Sequence, residues 1–166
     1  MSSMLVAQYQ RWFQYEKDSH AKVLASIDTI PPEQRGTGAY QKVLNLLAHI
    51  IAARLMWLFR LGQIETPPPA LFPSDASRLE LSTGLAQAEA EWSAYFDRLD
   101  QADLESVVKY QSYEGSGFRS GLADILVQLH GHSLYHRGQI AMLVRSLGGE
   151  PTETDFILWS REPITR

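Results

Sequence analysis

The stretch that decides the fold is residues 121–147, GLADILVQLHGHSLYHRGQIAMLVRSL. Its apolar side chains recur every three or four residues, which is the spacing of one face of an α-helix. They fall in two groups, the first from Leu122 to Leu129 and the second from Ile140 to Leu147. The glycine pair at 148–149 is a typical end of a helix. The sequence therefore predicts a long amphipathic helix over residues 121–147.

Two histidines lie between these apolar groups. Continuing the 3–4 spacing from Leu129 reaches His132 and His136 before it reaches Ile140, so the pattern predicts that both imidazoles face inward. Their Cβ atoms would lie about 6 Å apart, and their nitrogens can bind one metal ion at about 2.0–2.1 Å. The competing interpretation is a pair of core histidines with hydrogen-bond partners, which buried polar groups need.

The other histidines have different expected roles. His49 lies in the apolar sector of a second predicted helix, so it is the candidate third ligand of a site that leaves positions open for water or substrate. His130 points about 200° away from His132 and is expected on the outer face or in a helix interface. His20 lies on the inner stripe of the first helix, and we expect a core residue rather than a neighbour of the metal ligands.

Outward from this helix, the same periodicity predicts three more helices, over residues 4–30, 39–61 and 77–99. Prolines at 31–32 and the proline-rich connector at 66–75 separate them. The β-rich stretch at 106–113, with a turn at 114–117, predicts a short hairpin, and the tail from 151 is expected to pack irregularly across the bundle. We therefore expect a single all-α domain over residues 1–166. It is a four-helix bundle with a short β-hairpin between helices three and four.

Composition and motifs narrow the function. The chain has 166 residues and no cysteine, which excludes disulfides, thiolate zinc sites and a cysteine nucleophile. A net charge of −4 speaks against nucleic-acid binding. No signal-peptide pattern is visible, and the apolar stretch at 49–61 is expected to be too short and too charged to span a membrane, so we expect a cytoplasmic protein. The chain has no HExxH, Glu-x-x-His, GxGxxG or GxSxG motif.

The string from His132 to Ile140, HSLYHRGQI, resembles the signature helix of the DinB-like family, which is named after a damage-inducible protein. The resemblance covers essentially the whole chain, including the central histidine of helix two and the tail motif PTETDFI. It implies an up-down-down-up four-helix bundle, often dimeric, that binds a divalent metal through three histidines. The metal is commonly zinc or nickel, and the motif places its ligands at His49, His132 and His136.

The resemblance also implies a metal-dependent enzyme that acts on a small-molecule substrate. It leaves two reactions open: hydrolysis by metal-bound water, and transfer or isomerisation that uses a low-molecular-weight thiol bound to the metal. Because the chain has no cysteine, such a thiol must come from outside. Two alternatives remain, namely a non-catalytic metal-binding stress-response bundle and a plain helical bundle with core histidines.

Residues near these histidines carry weaker expectations. Glu16 is the nearest guess for a general base, but we expect a solvated charge on a helix face. Arg137 is expected to be a surface or inter-helix ion-pair partner, and Gln139 either orients a ligand or bonds a carbonyl. Gly138 is expected to permit close helix packing, and Tyr135 to pack rather than donate a hydrogen bond to the site.

The aromatic residues of helices one and three predict association. They offer more apolar surface than one small core needs, and the family resemblance favours dimers. We therefore predict a homodimer through bundle helices. The alternative is that all of these aromatic side chains fill the core; they are Trp12, Phe13, Trp92, Tyr95 and Phe96.

Overall fold

The computed structural model describes residues 4–164. Four long helices make up the bundle: α1 (Met4–Asp28), α2 (Gly38–Arg60), α3 (Arg78–Arg98) and α5 (Leu122–Ser146). The smaller elements are a 3-10 turn (Pro32–Gln34), α4 (Gln101–Leu104), β1 (Val107–Gln111), β2 (Gly117–Gly121) and α6 (Phe156–Ser160). The predicted up-down-down-up four-helix bundle with a hairpin before its last long helix is confirmed. The single-domain prediction over 1–166 extends beyond the described residues at both ends and stays a prediction.

Local sequence signals set the ends of these helices. Thr37 caps α2 by accepting a hydrogen bond from the Tyr40 amide, and Ser77 forms a capping box with Glu80 at the start of α3. Gly62 follows α2 with φ 67°, a left-handed conformation that costs glycine little. The predicted boundaries therefore lie within two residues of the observed ones.

Helix α2 is the central element of the bundle. It packs against α5 and α3, while α1 packs mainly against α5. By length and composition alone the whole of α2, which is longer than the apolar stretch at 49–61, could cross a membrane. Half of its most apolar window is buried by the rest of the chain, as expected of a core helix in a bundle.

The core consists of two apolar clusters, one toward each end of the bundle. The first joins the C-terminal half of α1 to α2, α3 and the C-terminal half of α5, and includes Ile27, Leu47 and Val144. The second includes Phe13 and Trp92 and packs against the N-terminal half of α5. Phe13, Trp92, Tyr95 and Phe96 are buried, so these aromatics fill the core and do not form a free surface. The predicted homodimer would need another surface.

The hairpin and the tail place further groups around the bundle. β1 and β2 pair antiparallel, with Val107 opposite Gly121 and Gln111 opposite Gly117, which confirms the predicted hairpin. Helix α4 and the 3-10 turn were not predicted, because four or three residues carry too little periodicity to be recognised. The tail crosses α1, where the ring of Tyr15 contacts Phe156 in α6, so it is less irregular than predicted.

Candidate metal centre

The histidines predicted to share a metal ion come together between α2 and α5. His49 lies in the middle of α2, and His132 and His136 lie one turn apart on the neighbouring face of α5. One ring nitrogen of each can act as a ligand, and these nitrogens all lie within 4.8 Å of one another. Nε2 of His49 is only 2.9 Å from Nε2 of His132. The three imidazoles therefore form a compact group that can hold a metal ion.

The two α5 histidines lie at the edge of the buried face and not at its centre. The central positions between Leu129 and Ile140 are occupied by Ser133 and Arg137, which are buried, whereas His132 and His136 are half-buried. The prediction that the histidines continue the core stripe was therefore wrong in detail. Because α5 packs against both α1 and α2, a wide part of its circumference is buried. The imidazoles lie on the side of α5 that faces α2, where a cleft leaves them partly exposed.

Hydrogen bonds to the chain orient two of the rings. Nδ1 of His49 donates to the carbonyl of Leu71 at 2.6 Å, and Phe72 stacks on the same ring with centroids 4.6 Å apart. Nδ1 of His136 donates to Oε1 of Gln139 at 2.8 Å. Since carbonyl oxygens only accept hydrogen bonds, both rings carry their proton on Nδ1 and present an unprotonated Nε2. Such partners fix ligand orientation in metal sites, and Gln139 has the orienting role that was one of its two predicted roles.

The surroundings of His49 and His132 keep these two rings neutral. Burial, together with the neighbouring His136, His49 and Arg54, lowers the pKa of His132 to about 4. Burial also lowers the pKa of His49, although its hydrogen bond to the Leu71 carbonyl opposes the shift. A neutral imidazole keeps the nitrogen lone pair that a metal ion requires.

A layer of buried charged side chains lies directly beneath the histidines. Glu16 on α1 forms an ion pair with Arg54 on α2, and Arg54 also donates to Ser133 at 3.3 Å. Arg137 donates to the hydroxyl of Tyr15 at 2.8 Å, and its Nη1 is 3.9 Å from Glu16. The expectation that Glu16 is a solvated surface charge was wrong, whereas Arg137 is the predicted inter-helix partner.

The sequence contained a signal for this buried layer that the prediction missed. Glu16 and His20 continue the 3–4 spacing between Phe13 and Val23 on α1, so the helical pattern places both on the inner face. Arg54 likewise interrupts the most apolar stretch of α2. A charge on the core face of one helix is rarely buried without a partner on another.

The other histidines lie apart from the three-histidine group. His130 stacks on Trp12 of α1 with centroids 4.9 Å apart, which confirms the predicted helix interface. His20 is buried at 2% exposure. Its pKa lies well below the usual value because of burial and the nearby Arg54 and Arg137. His20 is therefore a neutral core residue, as expected.

Two smaller predictions have opposite outcomes. Tyr135 is largely exposed and meets the His136 ring edge-on at 5.0 Å, so it packs against the site, as predicted. Gly138 does not permit close helix packing within the bundle, because a Cβ placed there would find no other atom within 4 Å.

A cavity of about 240 Å³ opens beside the histidines. It lies between α2, the connector and α5, and both His49 and His132 line it. The other lining residues are Ala53, Met56, Trp57, Arg60, Leu71, Phe72, Gln128 and Leu129. A three-histidine metal site leaves coordination positions open, and this cavity gives a small molecule access to that side of the group.

The fold and the site define a four-helix bundle with a candidate three-histidine metal centre between two of its helices. A family model described as "DinB family" matches residues 1–164, and the chain belongs to this family. A solved structure of a DinB-like protein from Bacillus cereus ATCC 10987 has a TM-score of 0.65 with this chain at 18% identity. The match covers 87% of this chain and 94% of that one, and it supports the shared fold. A search of curated proteins found no match.

Proposed function

We propose that this protein is a divalent-metal-dependent enzyme whose metal, zinc or nickel, is held by His49, His132 and His136. The observation that carries the proposal is the orientation of these rings. Two of them are fixed through Nδ1 by Leu71 and Gln139, so that Nε2 is left for a metal. In the competing interpretation as core histidines, the 2.9 Å contact between Nε2 of His49 and Nε2 of His132 is a hydrogen bond between the rings. That interpretation gives no role to Nε2 of His136, for which residues 4–164 provide no hydrogen-bond partner.

The donor set suits the proposed metals, because imidazole nitrogens are good ligands for zinc and nickel. When bound, a divalent ion would act as a Lewis acid or lower the pKa of a coordinated water or thiol. The chain itself would fix the ligand rings through the carbonyl of Leu71 and Oε1 of Gln139. Glu16 is not proposed as a general base, since its carboxylate is buried and paired with Arg54.

The substrate is proposed to be a small molecule that enters the 240 Å³ cavity. Either water or an external low-molecular-weight thiol would be the attacking group, since the chain supplies no cysteine. The expected cytoplasmic location fits the second chemistry, because thiols are kept reduced there. The non-catalytic alternative has no comparable use for an open cavity beside the histidines.

Metal content tests the site. Wild-type protein is loaded with zinc or nickel, dialysed and analysed for metal, beside single alanine variants of His49, His132 and His136. His130→Ala is the matched control, because this histidine lies on the same helix but stacks on Trp12. We expect near-stoichiometric metal in wild type and in the control, and little in the other three. Equal metal in all variants, with folding intact by circular dichroism, would end the proposal.

Activity is tested separately on the loaded protein. One panel contains esters and amides in water, and a second contains electrophiles with added low-molecular-weight thiols. Turnover that disappears in His132→Ala and persists in His130→Ala supports the enzyme. Full metal occupancy without turnover in either panel would favour the non-catalytic metal-binding bundle.

A further inference from the structure

The cavity beside the histidines has a charged end that the proposed chemistry does not use. Arg60, in the last turn of α2, is the one Lys, Arg, Asp or Glu among the described residues that line it. The remaining walls are mostly apolar or aromatic, including Met56, Trp57 and Phe72. A single fixed cation in an apolar pocket is the usual arrangement for orienting one end of a ligand.

Arg60 is held firmly in place. Its guanidinium lies 4.8 Å from the ring centres of both Trp57 and Tyr110, and Nη2 donates to the carbonyl of Gln111 at 3.0 Å. Stacking of this kind fixes the plane of a guanidinium. The side chain is therefore pre-organised, and its position links α2 to the hairpin.

Arg60 has unused donors. Within residues 4–164 it forms no ion pair, and its single hydrogen bond uses one of five N–H groups. Burial lowers its pKa, yet an arginine remains cationic at neutral pH. A partly buried cation without a counter-charge favours the binding of an anion.

We propose that Arg60 binds the carboxylate of a small apolar acid, whose body lies against Met56, Trp57 and Phe72 and whose other end faces the three histidines. This assignment of substrate class rests on the proposed metal-dependent function for the reaction itself. A carboxylate matches the guanidinium through paired N–H donors. The cavity volume lies below the range typical of drug-sized ligands, which favours a small acid over a nucleotide or peptide.

The test uses 3-phenylpropanoate and its uncharged amide as probes, titrated by calorimetry into zinc-loaded and metal-free protein. The variants are Arg60→Met, which keeps the length but not the charge, and Arg60→Lys, which keeps the charge. Arg98→Met is the matched control, because Arg98 ends α3, lies 5.5 Å from the Tyr95 ring and also bonds a carbonyl.

We expect the acid to bind wild type and Arg98→Met equally, and Arg60→Met about tenfold or more weakly, as loss of one charged hydrogen bond implies. The amide should bind all proteins weakly, and Arg60→Lys should recover part of the affinity for the acid. Equal affinity for acid and amide, unchanged affinity in Arg60→Met, or no binding to wild type would overturn the proposal.

The two proposals can fail separately. Arg60→Met should retain metal as wild type does, and its weaker binding of the acid should also be measurable in metal-free protein. A chain that holds no metal but binds the acid through Arg60 would refute the metal-dependent function alone. If Arg60 had only a structural role, Arg60→Met would lower thermal stability without changing the ratio of acid affinity to amide affinity.

A second inference concerns the outward face of α5. The exposed residues of this helix include Val127, Leu134, Tyr135 and Met142, and none of the exposed positions between Asp124 and Arg145 is charged. Scattered apolar side chains on a surface are ordinary, but a continuous apolar helix face indicates a partner.

The residues of this face are arranged symmetrically along the sequence about the midpoint between Leu134 and Tyr135. Gly131 and Gly138 each lie three residues from the nearer of these two, and Val127 and Met142 each lie seven. Asp124 and Arg145 each lie ten residues away and carry opposite charges. An antiparallel copy of the same helix would therefore place Asp124 next to the partner's Arg145, as an isologous two-fold interface requires.

We infer that a second copy of this chain packs antiparallel on the outward face of α5. Gly131 and Gly138 have open space around them, so two helices can approach closely there. Each glycine costs an exposed helix about 1 kcal/mol relative to alanine, and contact with a partner offsets that cost. This interface replaces the aromatic surface predicted from the sequence, since four of its five side chains are buried in the bundle.

Sedimentation equilibrium tests the interface. Wild type should sediment at twice the 18.7 kDa chain mass, and Leu134→Lys should be monomeric, because it places two like charges near the two-fold axis. Leu79→Lys is the control, since Leu79 is an exposed leucine on α3, away from this face. Asp124→Lys and Arg145→Glu should each weaken the dimer, and the double variant should restore it. A monomeric wild type, or a dimer unaffected by Leu134→Lys, would refute the interface.

Discussion

Nδ1 of His136 donates a hydrogen bond of 2.8 Å to Oε1 of Gln139, three residues further along α5. This contact fixes the proton of His136 on Nδ1 and leaves Nε2 toward His49 and His132. It also explains why a glutamine within the helix belongs to the site although it would not itself bind the metal.

Replacing Gln139 by leucine should therefore weaken metal binding without changing the ligands. Loss of the partner of a ligating histidine costs about 10–100-fold in metal affinity. Competition with a chromophoric chelator measures the change in zinc affinity. Gln128→Leu is the control, because Gln128 lies on the same helix and no hydrogen bond joins it to a histidine of the group. Equal affinity of the two variants would contradict the orienting role.

The ion pair between Glu16 and Arg54 should matter strongly for stability. Glu16→Ala leaves Arg54 and Arg137 buried without a counter-charge, which is expected to lower the free energy of unfolding by about 3–5 kcal/mol. Asp28→Ala removes the carboxylate of an exposed pair with Arg78, and such pairs contribute about 0–1 kcal/mol. Urea unfolding measures the free energy of unfolding of both variants. Similar losses of stability in the two would argue against a buried ion pair.

Acid should destabilise the metal-free protein. The pKa of His132 is about 4 in the folded chain and about 6.5 when unfolded, so the unfolded state binds more protons between these values. The contribution of His132 to the free energy of unfolding is fully present above about pH 6.5 and is lost as the pH falls toward about 4. His132→Gln should reduce this dependence in urea unfolding measured across the same range. An unchanged slope would show that His132 does not contribute.

Gly149 tests the packing where the tail leaves α5. A Cβ at this position would lie 2.9 Å from Val144 and 3.0 Å from both Ile30 and Thr29. Gly149→Ala should therefore lower the free energy of unfolding by about 1–3 kcal/mol through overpacking. Gly36→Ala is the control, since Gly36 has open space around it. A stabilised Gly149→Ala protein would show that the neighbouring side chains move aside freely.

The sequence by itself determined the bundle and the identity of the three histidines. Helical periodicity and the breaks at Pro31 and Gly62 are local properties of the chain, so the long helices and the hairpin could be predicted. The positions of His132 and His136 one turn apart fixed their proximity in the same way. The apolar sector of the second helix indicated His49, and the resemblance to the DinB-like family implied the same residue.

Only the tertiary structure decided which groups surround those histidines. The hydrogen bond from His49 to Leu71 joins residues 22 positions apart, and the Glu16–Arg54 contact joins residues 38 positions apart. Neither pairing follows from periodicity, which places a residue on a face of its own helix but does not say what lies opposite. The neighbours of Arg60 and the exposed face of α5 likewise depend on how the helices and the hairpin pack, because burial is a property of the assembled chain.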